Sequence, residues 1–257
     1  MKVVLFCGGL GTRLREFSET IPKPLVPIGN RPLLWHLMRY YAHYGHNEFI
    51  LCLGYRADLI KEFFLGYNEA LYADVTVSRN GAQVDFLESD MQDWRVTLID
   101  TGEASNIGER LAAVAHHVRD EEMFLANYSD GLSDLDLDAY VEDFRATDAV
   151  CTFLSVRPSQ SFHVIASDDT GGVKELIPVA NADIWINGGF FVIRPEIFDH
   201  MREGEELVEE PFQRLAEAGR LRTRRYEGFW ASVDTFKDKV KFDTMVAKGD
   251  TPWMLWK

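Results

Sequence analysis

The stretch KVVLFCGGLGTR, residues 2–13, decides the fold. Residues 2–7 form a short unbroken apolar run, the pattern of a strand covered on both faces. The run gives way at once to Gly8, Gly9 and Gly11, with Arg13 closing the loop. Glycines let the backbone come close to a ligand, and consecutive amides form a concavity suited to an anion. The loop matches neither common phosphate-binding pattern. No Lys-Ser or Lys-Thr follows at the P-loop spacing, and Leu14 stands where a dinucleotide fingerprint needs its third glycine. On its residues alone the loop serves structure as readily as a ligand.

Working outward, strands and helices alternate. A helix is predicted over residues 31–44, entered through Pro32 and followed by Gly45. A strand follows at 49–53 and a helix through Leu59, Ile60, Phe63 and Phe64. Further strands are predicted at 75–77, 96–99, 123–127 and 150–156, with helices at 109–118 and 137–146. This order predicts an α/β fold, a mostly parallel sheet with helices on both faces. After Pro158 short strands at 164–166, 173–177 and 189–193 follow one another, which predicts a smaller mixed β region beside the sheet. A short helix at 211–218, strands at 221–226 and 229–233 and a helix at 235–247 complete the pattern. Residues 1–257 are read as a single domain, with the rhythm changing after residues 1–157 and a final helix closing 158–257.

Hydrophobic residues make up 46% of the 257, enough for a sizeable core, and the net charge is −14. Duplex binding needs clustered Lys and Arg, so a nucleic-acid partner is not expected. An acidic chain that binds phosphate must do so with a few placed cations, amides and a metal. Cys7, Cys52 and Cys151 lie in apolar runs without metal spacing and read as buried reduced thiols. No apolar run approaches a membrane span and residues 1–9 do not read as a signal peptide, so a cytoplasmic protein is expected. The acidic run EGEELVEE (203–210) and the basic run RTRR (222–225) read as solvated surface and receive no function.

Two cations and two carboxylates stand out. Lys23 is held between Pro22 and Pro24, which stiffen its backbone. Asp130 follows a predicted strand, at the edge where open α/β sheets place ligand groups, and Asp234 precedes the final helix. Each has an ordinary structural role available, Asp130 as a turn residue and Asp234 as a helix cap. A pair of carboxylates is also what Mg²⁺ needs when substrate phosphates supply the rest of its shell.

The segments GGLGTRL, PKPLVPIGNRPLLWH, ILCLGYRADLIKEFF, WRVTLIDTG, the SDG at Ser129–Gly131, INGGFFV, GFWASVDTFKDKV and KGDTPWMLWK resemble the sugar-1-phosphate nucleotidyltransferases, and among them the bacterial glucose-1-phosphate cytidylyltransferases. The resemblance implies a Rossmann-like fold and the reaction of CTP with a sugar 1-phosphate to give a CDP-sugar and pyrophosphate. It implies nucleotide contacts at Phe6, Gly8, Gly9, Gly11, Thr12, Ser105, Arg110 and Ser129. Arg13 and Lys23 match its catalytic cations, and Asp130 and Asp234 its Mg²⁺ ligands. It further implies that 1–157 is the nucleotide-binding core and that 158–257 carries the acceptor-binding region and the C-terminal helix, with His163, Asn187 and Gly188 in the acceptor-binding region.

The chain departs from that pattern on the acceptor side. Leu176-Ile177-Pro178 stands where the branch carries Glu-Lys-Pro, so Ile177 replaces a lysine that meets the sugar phosphate. Ser161-Phe162-His163-Val164 replaces a smaller, glycine-containing stretch. A cytidylyltransferase for another phosphorylated or phosphonate acceptor therefore stays open, as does a non-catalytic nucleotide-sugar-binding subunit. Trp253 and Trp256 are read as packing at a subunit interface, and a homo-oligomer is expected.

Overall fold

The computed structural model describes residues 1–9, 21–87, 91, 93–158 and 162–257. Gly11, Thr12, Arg13 and Ser161 lie outside the described residues. Among the described residues eight strands make the central sheet: β1 (Lys2–Phe6), β2 (Glu48–Leu53), β3 (Arg95–Asp100), β4 (Phe124–Tyr128), β5 (Cys151–Val156), β6 (Ile186–Asn187), β7 (Phe191–Ile193) and β8 (Leu221–Tyr226). Parallel pairings join β4, β1, β2 and β3 in that spatial order. On the other side β7 pairs antiparallel with β4 and β5, β6 extends the same flank of β5, and β8 runs parallel to its far edge.

The apolar runs behave as strands covered twice. In β1, Val3 and Leu5 join one core while Val4 and Phe6 join another. Phe49, Leu51 and Leu53 of β2 go with the first core, and Ile50 and Cys52 with the second. Alternate side chains point to opposite faces, so two cores mean helices on both sides. The first face is covered by Leu33–His43, Ala57–Leu65, Leu137–Arg145 and Phe236–Lys248, through residues such as Leu37, Ile60, Tyr140 and Phe242. The second is covered by Ile107–Ala113, Ala115–Val118 and Glu210–Glu217, through Leu111, Val118 and Phe212.

Two expectations about strands are corrected. The strand at 75–77 exists as Val75–Ser78, but it pairs with Gln83–Phe86 in a hairpin away from the central sheet. Much of the β region after residue 158 belongs to the central sheet instead of lying beside it, because Phe191 and Ile193 enter the second core while Val192 between them enters the first, so the strand needs cover on both faces. The hairpin of His163–Ser167 and Val173–Pro178 does stand apart. The helix expected at 109–118 is two, broken at Val114. Trp253 is also corrected: it lies in the first core, stacked on Phe229 with ring centroids 5.6 Å apart, and not on an outer surface. Trp256 is partly buried and meets Trp35 edge-on. Among the described residues no helix is long and apolar enough to cross a membrane.

Between β6 and β7 the chain makes a tight bulge. Gly189 has φ +72° and Phe190 φ +53°, a left-handed conformation that a residue with a side chain adopts only when its surroundings impose it. Asn127 imposes it here: its Oδ1 accepts from the Phe190 N–H at 3.0 Å, and its Nδ2 donates to the Tyr41 hydroxyl at 3.1 Å. The Phe190 ring then packs edge-on against Tyr40 in the first core.

Candidate active site

A cleft of about 540 Å³ opens at the C-terminal ends of the parallel strands, where open α/β sheets bind ligands. Phe6 and Gly8 reach it from the end of β1, and Tyr128, Ser129 and Asp130 from the end of β4. Lys23 comes from the proline-framed turn, and Asp234 from just after the strand Trp230–Ser232. That strand pairs antiparallel with Gly131–Ser133, with Ser232 opposite Gly131. Asp130 precedes one partner and Asp234 follows the other, so the pairing brings two carboxylates distant in sequence to the same edge. A further bond from the Val233 N–H to the Asp130 carbonyl at 2.8 Å tightens it.

The Lys23 ammonium joins them. Its Nζ lies 2.8 Å from Asp130 Oδ2 and 2.8 Å from Asp234 Oδ1. Burial pushes the Lys23 pKa down, but the charges of Asp130 and Asp234 push harder and the net shift is upward, so the amine stays protonated. Asp234 does not cap the helix behind it. Thr235 does so, in a reciprocal arrangement with Asp238. The Asp234 carboxylate is thereby left for Lys23 and for the Ser232 hydroxyl, which donates to Oδ2 at 2.6 Å.

Arg110 lines the cleft but is committed to the protein. It is 3% exposed, and its guanidinium donates to the carbonyls of Leu53, Gly8 and Glu103 and to the Thr101 hydroxyl at 2.8–3.2 Å. It therefore ties the loop after β1 to the loops after β2 and β3. Gly8 and Gly54 are what let it fit. A Cβ on Gly8 would stand 2.0 Å from Arg110 Nη1, and one on Gly54 would stand 2.8 Å from it. Gly9 differs, since a Cβ there would meet nothing within 4 Å among the described residues. Ser129 donates to the Phe6 carbonyl at 2.8 Å, and Ser105 to the Thr101 carbonyl at 2.6 Å. Cys7 is no nucleophile, because burial pushes its thiol up to about 12.

The acceptor-side residues are placed otherwise. Asn187 does not line the cleft and donates to the hydroxyl of Tyr128, which does, at 3.3 Å. Gly188 is pressed against Val156, 2.9 Å from where its Cβ would be, and its carbonyl accepts from Trp230. His163 is exposed on the separate hairpin and does not line this cleft. Ile177 lies on the same hairpin opposite Val164, and Lys174 is the unpaired residue of the bulge beside Glu175.

Sequence reasoning missed Tyr128 and Glu206. Tyr128 ends the strand one residue beyond the 123–127 predicted for it, and Glu206 was hidden in an acidic run read as surface. Both line the cleft. Among the described residues no group of three or more His, Cys, Asp or Glu is poised to hold a metal. Asp130 and Asp234, already converging on the Lys23 cation, fit a hard divalent ion whose remaining ligands come from phosphate and water.

A family model described as "Nucleotidyl transferase" matches residues 2–247. The chain belongs to that family. The nucleotidyltransferase is 38% identical to the glucose-1-phosphate cytidylyltransferase of Salmonella typhi over 258 aligned positions, covering 100% of both chains. It is 25% identical to the mannose-1-phosphate guanyltransferase of Yarrowia lipolytica, over 93% of this chain and 62% of that longer one. The solved structure of HddC from Yersinia pseudotuberculosis shares the fold, with a TM-score of 0.65 at 20% identity, over 95% of this chain and 99% of that one.

Proposed function

We propose that this nucleotidyltransferase moves the cytidylyl group of CTP onto glucose 1-phosphate or a related sugar 1-phosphate, releasing pyrophosphate. The observation that carries the reading is the convergence of Lys23, Asp130 and Asp234 on one cleft edge. The full-length likeness to the Salmonella enzyme supports the choice of base and acceptor. An oxygen of the sugar phosphate attacks the α-phosphorus in line and pyrophosphate leaves opposite. The nucleophile is already an anion, so no general base is required, and the task is to bring like charges together. Asp130 and Asp234 would hold Mg²⁺, which supplies positive charge to the reacting phosphates. Lys23 holds a second positive charge at the same place, and Gly8 and Gly9 present backbone to the phosphates. Arg13 is assigned the remaining cationic role.

Pyrophosphate release measured across four NTPs and several sugar 1-phosphates tests this. Turnover with CTP and glucose 1-phosphate is expected, and turnover confined to another nucleotide rejects the proposal.

Ile177 favours one second reading, a cytidylyltransferase for a different phosphorylated or phosphonate acceptor. The same matrix decides it, because strong glucose 1-phosphate turnover makes it unnecessary. We also assign the protein to the cytoplasm, in keeping with three buried free cysteines, and to a homo-oligomer. On the separate hairpin Ile165 and Leu176 face each other in register and are more than half exposed, with exposed Phe162 beside them. Light scattering that returned the monomer mass would reject the oligomer.

A further inference from the structure

One wall of the cleft carries a carboxylate without a use in the phosphate chemistry. Glu206 belongs to a segment pressed onto the start of helix Ile107–Ala113. Its Oε2 accepts from the Ile107 N–H at 3.2 Å, and the Asn106 side chain donates to the Gly204 carbonyl at 3.0 Å. The approach is so close that a Cβ on Gly108 would stand 2.2 Å from the Glu205 carbonyl oxygen. Its neighbours are fixed as well: Leu207 is fully buried, and Glu205 is bound by Arg214. The remaining oxygen of Glu206, Oε1, is buried and has no hydrogen-bond partner among the described residues. A buried acceptor left unpaired is costly, so a donor is expected from whatever fills the cleft.

That donor is not a phosphate, which carries only acceptors and repels a carboxylate. The phosphate-handling groups Lys23, Asp130 and Asp234 form their own cluster, and Glu206 is held on the Asn106–Gly108 wall instead. An exocyclic amine on a pyrimidine supplies what Oε1 lacks, and a carboxylate accepting from the 4-amino group of cytosine is a standard pairing. At the same place the 4-oxo group of uracil would set acceptor against acceptor and leave both unsatisfied. A polar mismatch of that kind rejects far more strongly than a missing contact does.

Resting on the CTP reading above, we infer that Glu206 is a base-selecting residue that accepts from the 4-amino group of cytosine and excludes uracil. The test is equilibrium binding without acceptor, by titration calorimetry with Mg²⁺ present. Its probes are CTP, UTP, dCTP and the 4-unsubstituted pyrimidin-2-one analogue of CTP. Wild-type protein is expected to prefer CTP to UTP and to the analogue, and Glu206→Gln to reduce the CTP-to-UTP preference about tenfold or more, since an amide offers either a donor or an acceptor. A wild-type protein that binds the analogue as well as CTP overturns the inference without recourse to any variant. An unchanged CTP-to-UTP ratio in Glu206→Gln overturns it too, even if both affinities fall, and a change confined to the CTP-to-dCTP ratio would give Glu206 to the ribose. Failure of the CTP reading is seen separately, as absent CTP turnover in the wild-type protein.

Discussion

Gly131 pairs with Ser232 across a two-stranded ribbon, and this one register places Asp130 beside Asp234. Shifting it by one residue would turn the side chains to the other face and part the two carboxylates. The candidate metal site thus depends on backbone pairing between segments about a hundred residues apart in sequence as much as on the carboxylates themselves.

Asp130→Ala and Asp234→Ala should each lower nucleotidyl transfer about a hundredfold or more while the circular dichroism spectrum stays native. Pyrophosphate release titrated with Mg²⁺ is the measurement. Near-normal turnover in either variant removes that residue from the metal site.

Lys23→Met should split two properties that usually move together. Taking the ammonium away leaves Asp130 and Asp234 facing each other, so the variant should melt earlier in metal-free buffer. Added Mg²⁺ should raise its melting temperature more than that of the wild type, because the cation no longer displaces a lysine. Turnover should nevertheless fall, in kcat far more than in KM. Equal Mg²⁺ shifts in the two proteins would count against the arrangement.

Gly8→Ala and Gly9→Ala should behave differently although the residues are neighbours. Alanine at 8 drives into the Arg110 guanidinium and should cost about 1–3 kcal/mol of stability by denaturant unfolding. Alanine at 9 meets none of the described residues and should leave stability unchanged, with its effect confined to nucleotide affinity. A stable Gly8→Ala protein would contradict the packing described.

The protein should lose stability on mild acidification, through His36. Burial, set against a bond to the Ile28 carbonyl that works the other way, holds its pKa down to about 4. The neutral ring donates from Nε2 to Ile28 O at 3.0 Å and offers Nδ1 to the Trp253 N–H at 3.4 Å. In the unfolded chain a histidine takes its proton near pH 6.5. Unfolding therefore becomes easier from about pH 6.5 down to about pH 4, by roughly 3 kcal/mol in all for this residue, and this contribution is level above that window. Urea titrations at several pH values read the slope, and His36→Gln should flatten it. The partly buried His46, also held down to about 4, adds to the same slope and remains in the variant.

Much of this was legible in the residues. The apolar runs of β1, β2 and β4 announced strands covered on both faces, and the proline frame singled out Lys23. What local pattern could not carry was pairing at a distance. Nothing near Asp234 says that Thr235 takes over the helix cap, nor that Ser232 finds Gly131. Composition also misled at Glu206, because one committed carboxylate looks the same as its solvated neighbours in EGEELVEE. Gly8 and Gly9 are equally silent as letters, and only the position of Arg110 separates the glycine needed for packing from the one beside an open cleft.

The ribbon of Gly131–Ser133 and Trp230–Ser232 also sets an order of events during synthesis. The ribosome delivers Lys23 and Asp130 long before Asp234, so a nascent chain can close the first strands of its sheet while the candidate metal site still lacks one wall. Enzymatic competence would then arrive late and abruptly, when the returning strand docks and brings Asp234 to Asp130 and Lys23.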